Sequence, residues 1–172
     1  MSTSKTPAPQ ALSEELRRQL DYYLGESQRK IAEVWAELTE QQIWHRPNEQ
    51  CLAPANQLLH LTGNMRQWVG TALRGLPEIR QRDAEFAARA DGSYGKDAIY
   101  EAFDRELAAL RARLMQATEW AAQHRIQGHA TTELGIWVHQ VEHLSYHTGQ
   151  LIYTVKALTG CDFDFYGDWE LG

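Results

Sequence analysis

Between Thr132 and Leu158 the chain repeats one step. Apolar residues return every three or four positions, and three histidines keep the same interval in His139-Gln-Val-Glu142-His143-Leu-Ser-Tyr-His147-Thr-Gly-Gln150. That spacing stacks side chains on one face of an α-helix. Counted from His139, Leu144, Leu151, Val155 and Leu158 gather between about 100° and about 160° around the helix axis. Ile136, His139, His143, His147, Gln150 and Thr154 lie between about 0° and about 80°. The imidazoles therefore flank the core stripe and face inward or into a groove, so this helix has to be packed along its length. Gly160 supplies its stop.

Three other stretches share the period. From Leu12 to Leu38 the apolar positions are Leu12, Leu16, Leu20, Tyr23, Leu24, Ile31, Val34, Trp35 and Leu38, with Ser13 as a cap for the start. Ala55–Arg74 carries Leu58, Leu61, Met65, Trp68 and Ala72, and Gly75 before Leu76-Pro77 ends it. Lys96 to Gln123 carries Ile99, Phe103, Leu107, Leu110, Leu114, Ala117 and Ala121. No strand-length alternation is visible, and the glycines fall at helix stops and turns. The expectation is an all-α chain, a four-helix bundle forming one domain over residues 12–172. Residues 1–11 read as a frayed tail without the apolar segment of a signal peptide.

The connections are unequal. Residues 39–54 form a connection holding Pro47 and Pro54, with Ile43 and Trp44 placed to cap the core and His45 at the surface. Residues 76–95 form a long loop holding the charged run Arg80-Gln-Arg-Asp-Ala-Glu-Phe86, with room for a short helical turn, and loops of this length often carry function. His124 and His129 bracket a turn at Gln127-Gly128 and are expected to be exposed. In the tail, Phe163, Phe165, Tyr166 and Trp169 are too aromatic for a loose end and should fold back onto the bundle or onto a second chain.

A net charge of −6 leaves no basic stripe for nucleic acid. No apolar run approaches the roughly 20 residues of a membrane span. Cys51 and Cys161 lie far apart and outside any Cys-x-x-Cys pair, which suits reduced thiols and a cytoplasmic location. The expected partners are a small molecule and a second copy of the chain.

Two neutral imidazoles four residues apart can share one transition-metal ion. Three in a row cannot, because His139 and His147 stand roughly 12 Å apart along the axis. The outstanding ligand must come from elsewhere, and His60, near Gly63, Asn64 and Gln67 on a part-buried face, is the candidate. The preferred set is His60, His143 and His147, leaving one or more positions open. His139, Gln150 and Asn64 are placed to hold a bound water or fix the ligands' tautomers. His139-Gln-Val-Glu142-His143 also matches the H-x-x-E-H pattern of inverted zinc peptidases. That pattern needs a further acidic ligand well downstream on another helix, and only 29 residues follow His143. Neither a Gly-x-Ser-x-Gly elbow nor a phosphate-cradling glycine loop is present.

Leu38-Thr-x-x-Gln-Ile-Trp-His-Arg-Pro47, His60-Leu-Thr-Gly-Asn-Met-Arg-Gln-Trp68 and His143-x-x-x-His147-x-Gly-Gln150-Leu-Ile, in this order, resemble the DinB-like family of metal-binding four-helix bundles. The resemblance runs from Leu12 to about Gly160. Arg82-Asp-Ala-Glu-Phe86 and the aromatic, acidic tail are similar to a small, functionally uncharacterised subgroup of it. The resemblance implies an up-down-down-up bundle with a long connection between its second and third helices. It implies a divalent metal, nickel or zinc in most members with iron a further option, held at the positions of His60, His143 and His147. It also implies a dimer, and kinship with enzymes that use a low-molecular-weight thiol. The function expected is a metal-dependent enzyme of thiol S-transferase or hydrolase type, with Arg82, Asp83 and Glu85 reaching the site from the long loop. The alternative is a non-catalytic metal-binding or interaction protein whose metal is structural.

Overall fold

A computed structural model describes residues 9–167, so Trp169 and most of the expected N-terminal tail lie outside the described residues. The chain is mostly helical. α1 spans Pro9–Ala36, α2 Pro54–Met65, α3 Ala72–Arg74, α4 Arg82–Ala87, α5 Lys96–Leu114 and α6 Glu133–Thr159, with a 3-10 turn at Gln42–Trp44. α1 packs on α6 and α5, and α2 packs on the same two helices from the other side. Leu24, Ile31, Val34, Leu58, Leu61, Phe103, Leu107, Leu110, Ile136, Trp137 and Leu151 fill the space between them. Among the described residues no helix is long and apolar enough to cross a membrane.

Several expectations are corrected by local chemistry. α1 is already helical at Pro9, the first described residue. Ser13 is therefore inside the helix, where its Oγ accepts from Trp120 Nε1 at 2.6 Å and from Arg17 Nη1 at 3.1 Å. Leu12 and Tyr23, read as core, are exposed. α5 stops at Leu114, short of Gln123, although the sequence beyond it favours helix. Tertiary partners override that preference: Ala117 and Trp120 pack onto the core, and the Trp120 and Ala122 carbonyls accept from Leu134 N and Glu133 N.

The next residues form two antiparallel strands, β1 Gln123–Ile126 and β2 His129–Thr132, so the chain is not purely helical. Gln127 at φ 52 and Gly128 at φ 82 make the two-residue turn that such a pair requires. The Gln-Gly dipeptide is visible in the sequence, but strands of four residues each are too short to display an alternating pattern. His129 is exposed as expected, whereas His124 on β1 is half-buried.

α2 continues through a π-helical segment, Arg66–Thr71, into α3, and Gly75 closes the run at φ 68. An extra residue per turn rotates the later part of the helix about its axis, and here it brings Trp68 against α6. The long 76–95 connection contains α4, which lies on α2. Asn56 on α2 fastens it, donating to the Glu85 and Ala88 carbonyls at 2.9 and 3.1 Å, while Arg46 bridges Asn56 Oδ1 and the Phe86 carbonyl. Ile43 is fully buried, His45 is exposed, and Phe163 and Phe165 pack against the core as a stacked pair.

Candidate metal centre

α6 is rigidly placed before it presents any histidine. Thr132 caps it, its Oγ1 accepting from Gly135 N at 3.0 Å, and Gly160 ends it at φ 71. Trp137, Leu144 and Leu151 sink one stripe into the core, which aims the neighbouring stripe of His139, His143 and His147 at α2. On α2, Leu58 and Leu61 are buried on either side of His60 and fix the rotation that turns it toward α6.

His60, His143 and His147 meet there. One ligand nitrogen from each lies within 4.8 Å of the other two, and the grouping can hold a metal ion. His60 Nε2 and His143 Nε2 stand 3.2 Å apart. Two imidazole nitrogens bound tetrahedrally to one ion at ordinary metal–nitrogen distances are about 3.3 Å apart. The ring centroids of His143 and His147 are 4.7 Å apart, and those of His60 and His147 5.1 Å.

His60 has a second set of partners on its other nitrogen. Glu85 Oε2 on α4 lies 3.2 Å from His60 Nδ1. Arg80 grips the same carboxylate with Nε and Nη2, both at 2.9 Å, and donates from Nη1 to Gln67 Oε1 at 2.8 Å. Arg80 Nη2 also comes within 3.0 Å of His60 Nδ1. A guanidinium can only donate, so Nδ1 cannot serve both neighbours. With Nδ1 protonated, His60 donates to Glu85 and its bare Nε2 faces His143. That is the tautomer a carboxylate behind a metal-ligating histidine enforces. Phe86 covers the His60 ring at 4.9 Å.

The electrostatics suit neutral ligands. Burial, and then the nearby His147, His60, His139 and Arg80, push His143 down to about 3. Burial, then His60, push His147 down to about 4, with Gln150 opposing. Both rings keep their lone pairs at neutral pH. Glu85 is held below its usual range: burial alone would raise it, but hydrogen bonds from His60 and Arg80 and the Arg80 charge outweigh that. The Nδ1 of His147 is buried without a hydrogen-bond partner, which fits a site that takes up a further group. Donor type, spacing, protonation and this orphaned nitrogen all fit a divalent transition metal.

The residues placed around the ligands separate. His139 stacks on Trp68 at 3.9 Å and lies 5.2 Å from the His143 ring, its Nε2 buried and unpartnered. Gln150 is exposed beside His147. Asn64 is buried but bonds Gln140, its Oδ1 accepting at 3.0 Å, and thereby ties α2 to α6 a turn from the cluster. Of the three loop residues, Glu85 reaches His60. Asp83 is exposed, and Arg82 lies over the Phe86 ring at 4.6 Å. Sequence reasoning missed Arg80 as a partner of the site and took Trp68 only as core. The charged run was visible in the sequence, but nothing in its spacing shows that it folds back onto Gly63 of α2.

One side of the cluster opens. His147 lines a cleft of about 440 Å³ between the connection before α2 and the C-terminal half of α6, where Cys51 and Gln57 also lie. Both cysteines are free, and Cys161 sits apart, 3.6 Å from Glu37 Oε2.

The fold is mostly helical and brings together three histidines, one backed by a carboxylate, that could hold a metal ion. The chain belongs to the DUF1572 family, described as proteins of unknown function, whose model matches residues 11–166. No curated protein matches the chain.

Proposed function

We propose that this is a DinB-like, divalent-metal-binding protein and a metal-dependent enzyme, of thiol S-transferase or hydrolase type, acting on a small molecule. The observation that carries it is the 3.2 Å approach of His60 Nε2 to His143 Nε2, with His147 completing the triangle. The DinB-like arrangement, an up-down-down-up bundle, is supported by the order of pairings between helices. Arg111 with Asp21 and Asp104 with Gln28 give α1 and α5 opposite senses. His60 with His143 and Asn64 with Gln140 do the same for α2 and α6, and α1 and α6 share one sense, since Trp120 joins Ser13 to Leu134 at their starts and Cys161 meets Glu37 at their ends. We extend the proposal to a homodimer in the cytoplasm.

A divalent ion at this position supplies a Lewis acid to a bound water, thiol or carbonyl. The chain's own part is to converge three imidazoles, to fix the His60 tautomer through Glu85, and to leave the His147 side open. That open cleft favours catalysis over a structural metal, because structural sites close their coordination. The test is a cobalt(II)-loaded sample titrated with small thiols and azide. Spectral change on addition supports an exchangeable position. An unchanged spectrum, with metal removal unfolding the protein, would instead make the metal structural. A panel of thiol cofactors with electrophilic substrates then tests the transferase activity.

A further inference from the structure

The cleft beside His147 has a chemistry of its own. Among the described residues that line it there is no Asp, Glu, Lys or Arg. Three are carboxamides: Gln50 from the connection, Gln57 on α2 and Gln150 on α6. Tyr146 and Tyr153, two turns apart on α6, stand 58% and 78% exposed and form an aromatic rim. At the wall, Gln57 is only 4% exposed, and its Oε1 is buried with no partner. A buried carboxamide oxygen in that position lacks a donor, and nothing else among the described residues supplies one.

Away from the metal position, a formal charge on a ligand would lose water in this cleft and meet no opposite charge from the described lining residues. A neutral amide or hydroxyl would instead pair with the glutamines, which both donate and accept, and a turn of the Gln57 carboxamide toward the cleft would give its oxygen the donor it lacks. A flat body finds faces in the two tyrosines. We propose that the substrate of this centre is an uncharged molecule bearing amide or hydroxyl groups, held in this cleft with Gln57 reading it. The proposal rests on the metal reading only for what lies at the head of the cleft.

Three thiols of matched shape test it on the cobalt-loaded protein: 4-mercaptobenzamide, 4-mercaptobenzoate and thiophenol. None can chelate, and each thiolate reports its binding through a charge-transfer band. The benzamide is expected to bind at least about tenfold more tightly than the benzoate, and more tightly than thiophenol. In Gln57→Leu the advantage over thiophenol should fall to within about twofold, with thiophenol itself unchanged. Gln150→Lys, at an exposed position that cannot threaten the fold, should bring the benzoate level with the benzamide or above it. Equal or tighter binding of the benzoate to the unaltered protein overturns the proposal. So does a benzamide preference untouched by both substitutions, or the lack of any band on a protein that has taken up cobalt. A protein that takes up no cobalt fails the metal reading instead, and calorimetric ranking of the same compounds on the metal-free chain then decides the cleft by the same criteria.

Discussion

His60 is where two sets of contacts meet. Its Nε2 faces His143, and its Nδ1 faces a carboxylate that Arg80 holds at two points. A carboxylate in that position fixes the ring and raises its basicity, and losing one weakens metal sites by about 10- to 100-fold. Glu85→Gln should therefore lower metal affinity by about that range in a competition titration, while secondary structure stays as it was. Unchanged affinity would mean that Glu85 serves only to dock α4. The convergence of His60, His143 and His147 was legible from the four-residue steps on α6 and from the polar setting of His60. Arg80 was not, because its role depends on a turn that folds a loop back onto α2, and no spacing along the chain encodes that.

At the scale of elements, the bare Gly63 lets the Glu85 carboxylate of α4 lie close against α2. A Cβ there would collide with Glu85 Oε1 and crowd Arg80 Nε at 3.3 Å. Gly63→Ala should push the Glu85 carboxylate off His60. The expected cost is about 1–3 kcal/mol of stability, as for overpacking elsewhere, partly offset by alanine's better helix propensity. Proteolysis within residues 76–95 should also become faster. A variant with native stability and protease resistance would show that α4 docks without this close approach. The long helices were readable from their apolar period, and the run from α2 through α3, like α6, starts and stops within a residue of where Pro54, Gly75, Thr132 and Gly160 place it. The end of α5 and the β1–β2 hairpin were not, since Trp120, Ser13 and the start of α6 set them through contacts about 100 residues apart in the case of Ser13. The π-helical turn was equally invisible, because a seamless apolar pattern continues through it.

For the whole molecule, burying a histidine cluster links stability to pH. His143 sits at about 3 and His147 at about 4, both lowered from the ordinary 6.5, and burial lowers His139 as well. Between pH 6.5 and about 4 the unfolded chain takes up protons that the folded, metal-free chain refuses, so stability must fall as pH falls through that window. Denaturant midpoints of the metal-free protein should decline across it, and less steeply in a His143→Gln/His147→Gln double variant. Identical slopes would contradict the buried, neutral state of these rings.

The central claim is that His60, His143 and His147 hold one divalent metal ion. Elemental analysis of the protein purified without an affinity tag and reloaded with nickel, zinc or iron, beside His143→Ala treated identically, tests it most directly. The account predicts one metal ion per chain in the unaltered protein and loss of that ion in the variant. A folded protein that retains no stoichiometric metal after reloading, or a His143→Ala chain that binds it equally well, would contradict the account.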